Sequence, residues 1–381
     1  MKIKGLIAAV TSAAFLICMG GCGTKTNTSE SMESTESGGT ESNADNAMNI
    51  TSAADLVKQM KVGWNLGNTL DSTGGTGVDA ETSWGNPVTT KAMIDDVSAA
   101  GFNVLRVPVS WGTHVDEEFN IDKAWLDRVE EVVNYGLDND MFVILNTHHE
   151  EWYMPIKSDV DEDLAQLEKL WQQIAERFKD YNEKLLFEGV NEPRLRGRSA
   201  EWVGTPAARS IINQYAETFV KTVRATGGNN EQRALMITPY AASSIPDNLK
   251  ALKIPENAGN IIVSVHAYLP YDFALNVQGT AFYEDDGSIG DLMSNIKTTF
   301  LDNDIPVVIT EFGSVNKGNA SDRVNCLNDF LGGAKKIGVP CVWWDNNARA
   351  GAGENFGLLN RAEGGWYFPE IITNIQKIIG E

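Results

Sequence analysis

From residue 48 onward, short and almost uninterrupted apolar runs alternate with longer stretches of helical period. The apolar runs are 61–67 "KVGWNLG", 103–109 "NVLRVPV", 141–147 "MFVILNT", 184–190 "KLLFEGV", 234–239 "ALMITP", 260–266 "NIIVSVH", 305–311 "IPVVITE" and 339–345 "VPCVWWD". Runs that are continuous rather than alternating predict strands covered on both faces, as in a parallel sheet beneath helices. Helices are predicted over 122–139, 161–181, 206–226 and 321–337, with Asp161 and Ser321 as N-caps and a short helix near 243–250. Eight strands, nearly every one followed by a helix, predict an α/β fold, a (β/α)8 TIM barrel in one domain over 48–381.

The residues before 48 do not fit that pattern. Lys2 and Lys4 precede an apolar run over 5–19 that is short for a membrane span, and "GGC" follows at 20–22. Residues 1–21 read as a lipoprotein-type signal peptide with Cys22 as the lipidation site, or as a plain secretion signal. Residues 22–47 are rich in Ser, Thr and Glu, without aromatic residues, Val, Ile or Leu. Such a segment buries too little to fold and predicts a disordered tether, with a reach of roughly 25–30 Å. Both features place the domain outside the cytoplasm, at the cell surface or secreted. Of the four cysteines, Cys326 and Cys341 fall in the domain. A core this large needs no staple, so both are expected as buried free thiols, with pairing as the alternative.

The net charge of −21 argues against nucleic acid and against an anionic membrane surface, apart from a lipid anchor. It suits a soluble monomer acting on a neutral or cationic substrate.

In a barrel of this kind the site forms at the C-terminal ends of the strands. Those ends carry Arg106, His148 and His149, Asn191 and Glu192, His266 and Tyr268, Glu311, and Trp344. Each has a plain alternative: a solvated glutamate, a core or metal-binding histidine, an arginine in a structural ion pair. Their arrival on one face of the barrel argues for a shared pocket, and Pro193 is expected to end the fourth strand there. Two glutamates across a barrel mouth suit glycoside hydrolysis, one protonated and one ionised. Like charges push such a pair apart in pKa, and Arg106 would keep its partner ionised. Aromatic residues fit a sugar ligand. Trp84, Trp111, Trp152 and Trp202 fall in predicted loops after the first four strands, where indoles would stack on pyranose rings; Trp125 and Trp171 read as core.

The ordered blocks "GWNLGNTLD", "RVPVSW", "NTHHE", "VNEP", "HAY", "TEFG" and "WWDNN" resemble glycoside hydrolase family 5, the cellulase family, nearest its bacterial subfamily 4 endo-β-1,4-glucanases. The resemblance spans residues 50–381, one block per strand except the fifth. It implies a retaining mechanism with Glu192 as acid/base, Glu311 as nucleophile, and Arg106 and Tyr268 orienting the nucleophile. It further implies that His148, Asn191 and His266 line the reacting sugar's subsite, that Trp344 is its stacking platform, and that Asn68 and His149 contact sugars further along. No cofactor is implied.

The implied substrates are cellulose, xyloglucan and mixed-linkage β-glucan; a xyloglucanase, mixed-linkage glucanase or mannanase of the same family is the alternative. Two remoter readings are a metal-dependent barrel enzyme and a non-catalytic sugar-binding surface protein. "HHE" lacks the helical spacing of a zinc motif and shows no third ligand. A binding protein would have lost a glutamate, and both are present.

Overall fold

A computed structural model describes residues 48–49 and 51–380. The expected signal peptide, the tether and Cys22 lie outside the described residues. Eight parallel strands close a barrel in sequence order: Val62–Leu66 (β1), Val104–Val107 (β2), Phe142–Asn146 (β3), Leu185–Glu188 (β4), Leu235–Ile237 (β5), Ile261–His266 (β6), Val307–Phe312 (β7) and Cys341–Asp345 (β8). Pairing of Val62 with Cys341 through to Leu66 with Asp345 seals the ring. Ala53–Gln59 (α1) precedes the barrel. The outer layer is Lys91–Ala99 (α2), Lys123–Asp138 (α3), Val160–Arg177 (α4), Pro206–Ala225 (α5), Pro246–Ala251 (α6), Tyr271–Ala274 (α7), Ser288–Thr299 (α8), Ala320–Lys336 (α9) and Pro369–Gly380 (α10).

The apolar runs hide an alternation that the closed barrel exposes. Leu105, Val107, Val143, Leu145, Leu185 and Phe187 pack outward with the helices. Val104, Ile144, Leu186, Ile262 and Val308 pack inward, where Leu56 and Val57 of α1 and Met60 just after it plug the floor. Two residues further along the same strands the inward positions become Arg106, Asn146, Glu188, Ser264 and Thr310, all buried. The lumen is therefore apolar at its base and polar beneath the mouth. On β1 the inward residue at the lower level is Gly63, where a Cβ would meet Val104 Cβ at 2.8 Å.

Two local expectations are corrected. Asp161 and Ser321 are not N-caps, because each helix begins earlier; the capping positions are Asp159 and Asn319, and neither side chain caps. Asp161 instead joins Glu162 and Asp163 in an acidic first turn that complements the helix dipole. The Asn319 side chain is turned away, accepting from Lys317 N and donating to Ala281 O. Nor does Pro193 end the fourth strand. Regular pairing stops at Glu188, although Gly189 N and Asn191 N still donate to Met236 O and Thr147 O. Cys326 and Cys341 are free and buried.

Candidate active site

The polar level of the lumen centres on Arg106, which is fully buried. Its Nε donates to Glu188 Oε2 at 2.7 Å, its Nη1 to Glu311 Oε1 at 2.7 Å and Asn65 Oδ1 at 2.9 Å, and its Nη2 to Asn191 Oδ1 at 2.7 Å. Burial works against the guanidinium charge, but the carboxylates of Glu188 and Glu311 outweigh it and push the pKa up. The two sequence readings of Arg106, ion-pair partner and site residue, therefore both hold.

Glu311 reaches the mouth through a fault in the sheet. Val307 and Ile309 pack outward, so regular alternation would aim Glu311 at the helices. The β6–β7 register pairs Val265 with Ile309 but His266 with Glu311, which inserts one residue into β7. That bulge turns Glu311 into the lumen and sends Phe312 outward to stack on Phe330 at 4.9 Å. Tyr268 Oη then donates to Glu311 Oε2 at 2.8 Å, and burial followed by the Glu311 charge keeps that phenol protonated.

Glu192 lies four residues past the last residue of β4. One oxygen from each of Glu192 and Glu311 and a ring nitrogen of His266 lie within 4.8 Å of one another. His266 Nδ1 is 2.7 Å from Glu192 Oε1, and Arg194 Nη1 donates to Glu192 Oε2 at 3.2 Å. Arg106 Nη2 stands 3.5 Å from His266 Nε2 and has only hydrogens to offer, so a neutral ring carries its proton on Nδ1 and donates to Glu192. Burial raises the Glu192 pKa, but the His266 hydrogen bond and the charges of His266 and Arg194 prevail and lower it. The like-charge expectation, that one carboxyl of the pair is pushed up, is therefore not met at Glu192, where the cationic side chains outweigh burial.

An aromatic wall runs away from the carboxylates. Trp344 is buried and lies parallel to His148, with ring centroids 5.5 Å apart; His148 meets His149 at 4.5 Å, and His149 meets Trp84 at 5.6 Å. Gly67 is required beneath Trp344, since a Cβ there would sit 2.8 Å from Cζ2. Burial, then the charges of His149 and Arg106, hold the His148 pKa well below its ordinary value. Asn68 is half-buried in the left-handed region at φ 57°, its amide donating to Asp71. Trp202 is exposed and lies under the Arg194 guanidinium at 4.5 Å.

Residues 70–350 match the family model described as Cellulase (glycosyl hydrolase family 5). The chain belongs to glycosyl hydrolase family 5. Within the family it is 52% identical to "Endoglucanase B" of Ruminococcus albus, over 99% of this chain and 97% of that one. A GH5-4 broad specificity endoglucanase from Ruminococcus champanellensis, solved with bound cellotriose, superposes with a TM-score of 0.84 at 46% identity, covering 86% of this chain and 99% of that one. A xyloglucan-specific endo-β-1,4-glucanase of the family from a metagenomic library, also in complex with cellotriose, gives 0.82 at 44% identity, over 85% and 98%.

The family-like site is not quite the one the strand ends suggested. Trp111 is no sugar platform; it is fully buried, with Nε1 donating to Asn146 O. Trp152 is half-buried and donates to Glu150. His114 is buried against Trp125 at 3.7 Å, away from the site. Asp71, His148 and His149 offer ligand atoms within 4.8 Å of one another, so a third ligand for "HHE" does exist in space. The Asp71 carboxylate, however, already accepts from the amides of Asn68 and Thr69. Sequence reasoning missed Glu188, Asn65 and Asn146. The signal for Glu188 was a charge inside an apolar strand, which a buried position tolerates only when paired.

Proposed function

We propose that this chain is a retaining endo-β-1,4-glucanase that needs no cofactor, with Glu311 as nucleophile and Glu192 as acid/base. A Glu311 oxygen attacks the anomeric carbon while the glycosidic C–O bond breaks and Glu192 gives its proton to the leaving oxygen. Water then attacks the glycosyl ester, Glu192 takes a proton from it, and Glu311 leaves, restoring the β configuration. The observation that carries this reading is that Glu192 and Glu311 share one mouth with their nearest oxygens within 4.8 Å, which fits the closer-set pair of a retaining enzyme. Inverting enzymes hold their carboxyl groups about 6.5–9.5 Å apart to admit a water, retaining ones about 5–5.5 Å. Arg106 and Tyr268 occupy both Glu311 oxygens as donors, orienting the nucleophile. Substrate displaces water from the mouth and deepens the burial of Glu192, which favours its protonated form.

The glucan lies across the mouth with its reacting ring on Trp344, between Arg106, His148, Asn191 and His266. Trp202 is linked to Glu192 through Arg194, which supports assigning it to the leaving-group side, with Trp84, His149 and Asn68 on the other. The endoglucanase names of the relatives support internal cleavage, and the broad specificity named for the R. champanellensis relative supports cellulose, xyloglucan and mixed-linkage glucan as substrates. Proton NMR of the first-formed product tests the mechanism: the β anomer is expected, and the α anomer first would refute it. Hydrolysis of cellulose, xyloglucan, barley glucan, mannan and xylan tests the substrate range.

The same reading places a monomer at the cell surface, held by a lipid on Cys22, because a polymer substrate stays outside the cell. Asn49, just before α1, bonds to Glu183 just before β4, so the chain enters the barrel on the face opposite the mouth. Cys22→Ala should release the enzyme into the medium; failure of the wild type to incorporate labelled fatty acid would leave simple secretion.

A further inference from the structure

Glu188 is a buried carboxylate that reaches the mouth through Arg106. It is the last inward residue of β4, with no exposed surface. Arg106 Nε donates to its Oε2 at 2.7 Å, Asn146 Nδ2 to the same oxygen at 3.2 Å, and Ser264 Oγ to its Oε1 at 2.5 Å. Arg106 is already held by two neutral acceptors, Asn65 and Asn191. A third neutral acceptor would have been enough to fix its position. A carboxylate adds what they lack, a full negative charge in a place closed to solvent. The cluster of Arg106, Glu188 and Glu311 then carries one net negative charge, and the guanidinium facing Glu311 is half neutralised from behind.

We propose that Glu188 is a positioning residue whose charge, acting through Arg106, sets how basic the Glu311 carboxylate is. Facing the full charge of Arg106, Glu311 would hold its electrons too tightly to attack well; facing a guanidinium shared with Glu188, it remains both ionised and nucleophilic. The other charged or titratable groups around Glu311 are His266 of β6, Tyr268 just after it, Glu192 after β4, and Glu354 in the loop after β8, whose own pKa is raised by burial and then by Glu192 and Glu311. Around Glu188, among the described residues, Arg106 is the charged partner and Asn146 and Ser264 are neutral ones.

This inference rests on Glu311 being the nucleophile, and the two are tested apart. Labelling of Glu311 by a 2-deoxy-2-fluoro cellobioside tests the nucleophile. The pH profile of kcat/KM in Glu188→Gln tests the charge. Glutamine keeps the shape and the acceptor for Arg106 and Asn146. Its amide can donate to Ser264, whose hydroxyl also bonds to Thr310 and can turn to donate there. Removing the charge that faces Glu311 from the far side of the Arg106 guanidinium, at an effective dielectric of about 20, should move the acid limb about 1–2 pH units lower, with a reduced plateau. Glu188→Asp keeps the charge, so its acid limb should stay within about 0.5 unit of the wild type even where its rate falls. The proposal is overturned if Glu188→Gln loses activity with its acid limb in place, if Glu188→Asp shifts as far as Glu188→Gln, or if Glu188→Gln fails to fold at 25 °C, which would make Glu188 structural first.

Discussion

Removing the acid should separate two substrates that the wild-type enzyme treats alike. In Glu192→Ala the carboxyl is replaced by space at the mouth. Its side chain is 21% exposed, so water or a small anion can take its place. The lost interactions are those with His266 at 2.7 Å and Arg194 at 3.2 Å, while Arg106 and Tyr268 still orient Glu311. The nucleophile therefore survives intact and the proton donor is gone. General acid catalysis contributes about 10²–10⁴-fold, which is about 3–5 kcal/mol of barrier. A sugar leaving as an alkoxide needs all of that help; 2,4-dinitrophenolate needs almost none. Turnover of cellohexaose should fall about 10²–10⁴-fold, while the first turnover of 2,4-dinitrophenyl cellobioside stays within about tenfold of wild type. Without a base, water attacks slowly, so a burst of dinitrophenolate equal to the enzyme concentration should precede a slow steady state. Azide needs no base and should restore the second step, giving β-cellobiosyl azide. Stopped-flow absorbance reads the burst and NMR identifies the azide. Equal losses on both substrates, or an α-azide, would show that Glu192 is not the acid/base.

Trp344→Ala should lower kcat at least about tenfold as well as weaken binding, because the ring that orients the reacting sugar is lost; Trp84→Ala and Trp202→Ala should mainly raise KM for longer chains, and an unchanged kcat in the Trp344 variant would remove it from the reacting subsite. Glu150 is fully buried, and burial outweighs its three N–H donors, from Trp111, Gly112 and Trp152, to push its pKa up to about 7 from an ordinary 4.5. A folded-state pKa above the unfolded one gives stability that is present below about pH 4.5 and lost as pH rises through about 7, on the order of 3 kcal/mol. The thermal midpoint of Glu150→Gln should therefore gain on the wild type between pH 5 and 7.5, and a constant difference across that range would refute the shift. Prolonged treatment with EDTA should leave glucan hydrolysis unchanged, since the carboxylate pair completes both displacements; loss of activity restored by one divalent ion would refute that.

Much of this protein is written locally. Eight apolar runs specify eight strands, since an apolar run bounded by amphipathic helices has few other ways to hide both faces. Reading the last residues of those runs was enough to assemble Glu192, Glu311, His266, Tyr268 and Trp344, because the barrel carries every strand end to one mouth. Even the change from an apolar to a polar lumen is visible two residues apart, as in Leu186 and Glu188. What the local pattern could not carry was direction and partnership. By strand alternation Glu311 belongs with Val307 and Ile309 on the outer face, and only the register shift against β6 turns it inward. Trp111 looks like a platform from its position in a loop, and becomes core when its indole finds the carbonyl of Asn146. Arg106 joins Glu188, 82 residues away, to Glu311, 205 residues away, and Asp71 comes within 3.9 Å of His149. Such contacts follow from closure of the ring, whose hydrogen-bond register sets which side chains share a level; periodicity along the chain carries no record of it.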